Sequence, residues 1–168
     1  AGIGVVYAAL NQMATVDSAV FIGASYGLII LLLLLVYGRF TPMAVSMGVV
    51  GVGATWLMGA FGAAGRDINM VTMVLPTLVV IIGISDCVHI LNHVAGAGGE
   101  DRRAKVVEGV SYMFWPCLFN TLTTVMAFMA LVAAPMAVIR DMGLFAAVGL
   151  ICAFVLAIVG CTVALRWE

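Results

Sequence analysis

Asp86, His89 and His93 stand at i, i+3 and i+7 inside VVIIGISDCVHILNH (residues 79–93), where an unbroken apolar run passes without a turn into one carboxylate and two imidazoles. At 3.6 residues per turn this spacing gathers the three on one helical face, with Ile82 at the head of the stripe. An Asp and a His one turn apart exchange a proton near neutral pH when burial and mutual charge bring their proton affinities together. The spacing therefore predicts a proton relay of Asp86 and His89. The competing reading is an Asp86 that stays protonated and only hydrogen-bonds one helix to another. His93, nearer the end of the run, reads as an interfacial residue.

A second polar cluster lies in FNTLTTVMAF (residues 119–128). Asn120 and Thr124 share a face at i+4, with Thr121 and Thr123 beside them, so Asn120, Thr121 and Thr124 are candidates for the groups that surround Asp86. Threonines in apolar helices also bond to carbonyls of their own helix, which is the plainer reading of each taken singly.

The elements that position these groups follow from composition. Of 168 residues, 65% are hydrophobic and only 9% charged, and mean hydropathy is +1.24. A soluble domain carries about a quarter charged residues, so this chain cannot cover a globular surface with polar groups. Apolar runs of about 20 residues suit helices that cross a hydrocarbon core of about 30 Å. Segments such as LIILLLLLVYG and AAVGLICAFVLAIVG lack the alternation of a membrane barrel. The expected class is all-α, a polytopic membrane bundle of five transmembrane helices.

With polar punctuation as boundaries, the spans fall at about 17–37, 42–63, 71–93, 114–133 and 142–165. Residues 1–16 lack the charged start and cleavage site of a signal peptide. They read as an extracytoplasmic segment before the membrane, leading from a larger part of a longer chain. Residues 101–113 place Ala104, Val107 and Val110 on one face and read as an interfacial amphipathic helix.

Five crossings put Arg39, Arg102, Arg103, Lys105 and Arg166 on one side and Arg66 and Arg140 on the other. Basic residues beside spans stay in the cytoplasm, which makes the first group cytoplasmic. Small residues at four-residue spacing, Ala19, Gly23 and Gly27, then Gly59 and Ala63, then Gly149 and Ala153, suit close helix packing in lipid. Pro76 and Pro116 fall near the starts of spans three and four as candidate hinges. Trp115 and Trp167 read as interfacial anchors.

Other chemistries find no support in the residues. The net charge of −1 comes with no dense Lys/Arg cluster, so nucleic acid is not expected as a partner. The four cysteines are far apart in apolar runs and read as small buried hydrophobes, with no metal set and no cofactor implied. Neither H-E-x-x-H nor G-x-S-x-G occurs, and no nucleophile and base stand in recognisable spacing, so an enzyme is not expected.

Taken in order, GRDINMVTMVLPTLVVIIGISDCVHILNH, FNTLTTVMAFMAL and VIRDMGLFAAVGLICAFVLAI, with LIILLLLLVYGRF before them, resemble one transmembrane half of the resistance, nodulation and division (RND) superfamily. The resemblance is to its MMPL branch, related to the sterol-sensing domain of Patched-like proteins, and covers nearly the whole chain. It implies helices two to six of one half, with a second transmembrane half and large extracytoplasmic domains elsewhere in the parent. It further implies an Asp in the fourth helix that couples to protons, often in Gly-x-x-x-Asp with a His after it. Here Gly83-Ile84-Ser85-Asp86 is one residue shorter, and His89 follows at three positions where four is frequent. The resemblance thus carries over Asp86 first and His89 second.

The implied function is export of lipids or other hydrophobic molecules, driven by the proton gradient across a bacterial-type inner membrane. Two other readings stand beside it: a lipid sensor or scaffold that transports nothing, and an accessory motor for protein export.

Overall fold

The computed structural model describes residues 2–38, 40–66, 69, 71–96 and 101–167; of residues 3, 5–11, 14–19, 21, 36, 166 and 167 it describes the backbone. Arg39 and the side chains of Ala19, Arg166 and Trp167 lie outside what is described. Five helices follow one another: α1 Ile3–Tyr37, α2 Phe40–Ala63, α3 Leu75–Gly96, α4 Arg102–Ala130 and α5 Ala137–Trp167. No strand occurs among the described residues.

Each boundary has a local cause. α1 ends at Gly38, whose φ of 57° is the left-handed conformation that lets its N–H reach the Leu34 carbonyl at 2.9 Å. A 3-10 turn, Thr72–Val74, leads into α3 and is set by a reciprocal pair. The Asn69 side chain accepts from the N–H groups of Val71 (3.0 Å) and Thr72 (3.1 Å), while the Thr72 hydroxyl accepts from the Asn69 N–H at 2.9 Å. This is capping-box logic with Thr in place of the usual Glu. Pro76 then sits in the first turn of α3, where a missing N–H leaves no helix bond unmade. Asp101 caps α4 by accepting from the Arg103 N–H at 3.0 Å.

Two boundaries differ from the sequence reading. Residues 1–16, read as a short helix before the membrane, run without a break into the first span, since Ile3–Tyr37 is one helix of 35 residues. No proline or glycine-rich turn separates the two parts, so the backbone ladder continues. Likewise 101–113 and 114–133 form one helix of 29 residues, with Pro116 inside it. Its first part buries Val106 and Gly109 against the bundle, while Ala104 and Val107, expected on the covered face, are exposed. The choice is made by α3. A Cβ on Gly109 would lie 2.5 Å from the Val94 Cγ2 and 3.1 Å from its backbone, so only a glycine admits this crossing.

Four helical stretches are long and apolar enough to cross a membrane: Phe40–Ala63, Thr72–Gly96, Arg102–Ala133 and Ala137–Leu165. In α1 the apolar described part is Ile22–Leu35. α5 is the central post, packed against α2, α3 and α4. Its inner side carries Ala146, Leu150, Ala153, Ala157 and Cys161, all buried. Its outer side shows Leu144, Val148, Ile151, Val155, Val159 and Val163, spaced three and four apart and each about half exposed. An apolar stripe turned outward is costly in water and favourable against lipid chains. The small residues divide along the same line. Gly149 would meet Leu57 and Val79 if it bore a Cβ, whereas Gly23, Gly27 and Gly59 have nothing within 4 Å.

α1 leans on the edge of this bundle. Leu33 is buried against it, and the Tyr37 hydroxyl donates to the Val88 carbonyl of α3 at 3.2 Å.

Candidate functional site

Asp86 lies on α3 with 1% of its surface exposed. The span Thr72–Gly96 has its midpoint at Ile84, so Asp86 sits two residues, about 3 Å, from the middle of the crossing. That is deeper than its place in the sequence suggests, because the 3-10 turn and the residues after His93 lengthen the span at both ends.

The Thr121 hydroxyl of α4 donates to Asp86 Oδ2 at 3.4 Å, the long limit of a hydrogen bond. Cys117 and Asn120 flank the same carboxylate from α4. Residues 117, 120 and 121 fall within one turn and a step, so a single stripe of α4 supplies all three. Asp86 Oδ1 is buried and has no partner. Among the described residues no cation pairs with the carboxylate; the ion pair of Arg66 with Asp141, at 3.1 Å, lies away from the middle of the spans. A buried carboxyl without a paired cation is costly inside a span, and such groups commonly mark ion or proton pathways.

The other expected residues separate. Thr121 and Asn120 stand with Asp86, as the spacing suggested. Thr124 does not: its hydroxyl donates to the Asn120 carbonyl of its own helix at 2.8 Å. Thr123 is similarly turned onto its own helix, to the carbonyls of Phe119 (3.0 Å) and Asn120 (2.9 Å). His89 is exposed on the outside of the bundle and makes no hydrogen bond to Asp86. The reason is the sixty-degree offset that three residues leave on a helix of 100° steps, which suffices to carry a side chain out of a narrow seam.

Sequence reasoning passed over one group and one contact. Cys117, taken for a small hydrophobe, is 2% exposed and adjoins the carboxylate; its place one turn before Thr121 was the available signal. His93 keeps the interfacial position read from the sequence, and its contact with Tyr112 of α4, ring centroids 4.3 Å apart, is what the sequence did not show. Its signal was the seven-residue step from Asp86, which returns to nearly the same face.

A metal site is not indicated, as no three His, Cys, Asp or Glu side chains among the described residues come together. The arrangement is that of an integral membrane bundle with one buried carboxyl at the seam of two helices. The family model of the sterol-sensing domain, described as that of SREBP cleavage-activation, matches residues 35–165. The chain belongs to the sterol-sensing domain family, and with it to membrane proteins whose role is related to lipid. Curated proteins offer no match to the chain.

Proposed function

We propose that the chain is the energy-coupling half-bundle of an RND/MMPL-type exporter of lipids or other hydrophobic molecules, driven by the proton gradient across a bacterial-type inner membrane. The observation that carries this reading is Asp86: a carboxyl 1% exposed, near mid-membrane, with Oδ1 unpartnered and no cation beside it. Ionisable groups inside spans are expensive and mark ion or proton pathways. Asp86 binds the proton, His89 stands one turn away at the bundle surface as its relay partner, and Thr121, Asn120 and Cys117 hold the carboxylate in the seam. One charge crossing 100 mV releases about 2.3 kcal/mol, enough for modest accumulation of cargo per proton. The second transmembrane half and the extracytoplasmic domains of the parent are the partners this mechanism needs, and they set the cargo.

The test is proton and fluorescent-lipid movement in vesicles that hold the full-length protein and its Asp86→Asn variant. Loss of both movements in a folded variant is expected. Unchanged lipid movement would sink the proton-coupled reading.

A second reading, a lipid sensor that transports nothing, draws on the family match itself. It expects lipid binding that is indifferent to a pH gradient and to Asp86→Asn.

A further inference from the structure

Two buried side-chain polar atoms among the described residues lack a hydrogen-bond partner: Asp86 Oδ1 and His93 Nδ1. Both lie on α3, seven residues apart, which at 100° per residue leaves them about 20° from the same line and about 10 Å apart along the axis. Both face α4. Thr121 and Cys117 meet Asp86, and Tyr112 stacks on His93. The α3–α4 seam therefore holds, within two turns of α3, a carboxyl oxygen and a ring nitrogen that the fold leaves without a partner.

Unsatisfied buried polar groups at such spacing are the ordinary lodging of water, which needs two to four polar partners. About three molecules at hydrogen-bond spacing bridge 10 Å. His93 also stands where such a chain must end. It is nine residues from the midpoint of the span, about 13.5 Å, at the edge of a hydrocarbon core about 30 Å thick. Its ring is half-buried, sealed at Nδ1 and reaching the bundle surface elsewhere.

We infer that His93 is the group through which the proton of Asp86 is exchanged with water at the basic end of the bundle. The step balances simply: the carboxyl O–H gives its proton to the water chain, the chain delivers a proton to the neutral imidazole, and the imidazolium releases one to bulk water; inward transfer is the reverse. The titratable neighbours of the seam are Tyr112 and Cys117 on α4 and Cys87 on α3. Glu108, one turn before Tyr112, is exposed. No other imidazole is packed into the seam, and imidazole is the group whose proton affinity suits transfer near neutral pH. This inference rests on the reading of Asp86 as a proton-binding group.

The experiment is a pH jump on the full-length protein in lipid vesicles, followed by the infrared carbonyl band of protonated Asp86, which Asp86→Asn removes and so assigns. His93→Phe keeps a ring against Tyr112 and is expected to slow relaxation of the band roughly 100-fold, the lower end of what a positioned acid–base group contributes. His93→Ala is expected to be as slow and to recover when free imidazole is added, a rescue that a packing role would not give. Relaxation at the wild-type rate in either variant overturns the inference while leaving Asp86 as the proton site. A band that does not respond to pH in the unaltered protein overturns the Asp86 reading itself, and this one with it.

Discussion

At the scale of single residues, the contrast between Thr121 and Thr124 shows what spacing conveys and what it omits. Both sit on the polar stripe of α4, and both were plausible neighbours of Asp86. Only the hydroxyl of Thr121 crosses to α3, at 3.4 Å, while that of Thr124 closes on its own helix at 2.8 Å. The sequence shows which residues share a face. It does not show the rotation of that face against a neighbour, which depends on packing along the whole helix. Thr121→Val is therefore expected to lower stability by about 1 kcal/mol, the value of one weak bond to a buried acceptor. Thr124→Val should change it by less than about 0.5 kcal/mol. Thermal unfolding in detergent of the two near-isosteric variants checks this, and equal losses would mean that Thr121 supports packing and not the carboxyl.

At the scale of elements, the helices were legible because 20-residue apolar runs and glycine or proline punctuation are local properties. At one place tertiary contact decides what hydrophobicity leaves open. The first part of α4 was assigned an apolar face through Ala104, Val107 and Val110, whereas the bundle covers Val106 and Gly109. Val106, Val107 and Val110 put apolar residues on both candidate faces, and in lipid an outward Val107 carries no penalty, so hydrophobicity alone cannot choose the face. Small residues are a better guide once contact is known, because they mark where backbones meet. Gly109→Ala puts a methyl 2.5 Å from Val94 Cγ2 and 3.1 Å from the Val94 backbone. A backbone cannot swing away as a side-chain tip does, so a loss of about 1–3 kcal/mol is expected. Gly59→Ala, with nothing within 4 Å, should instead be neutral or gain up to about 1 kcal/mol from lower backbone entropy in the unfolded chain. Thermal midpoints that move together would show that the α3–α4 crossing is looser than its geometry indicates.

At the scale of the whole molecule, the buried carboxyl has meaning only if the bundle crosses the membrane with its two ends in different compartments. The charges support such an arrangement. Arg66, after α2, pairs with Asp141 near the start of α5 at one end. At the other, Arg102 at the start of α4 donates to the Leu165 carbonyl in the last turn of α5 at 3.0 Å. The second contact places a cation at a helix C-terminus, where the helix dipole favours it. The ion pair is half exposed on the arginine side, so its role is to mark an end more than to stabilise it. By the charge rule the trio Arg102, Arg103 and Lys105 predicts that its end is the cytoplasmic one. A cysteine placed at Arg103 should then be labelled by a membrane-impermeant thiol reagent only after cells are opened, and one placed at Arg66 in intact cells. Three native cysteines are buried, and Cys152 is partly so in an apolar run, which keeps the background low. The reverse pattern would invert the bundle, and with it the compartment that receives protons through His93. Labelling of both positions from one side would contradict the odd number of crossings on which the coupling mechanism depends.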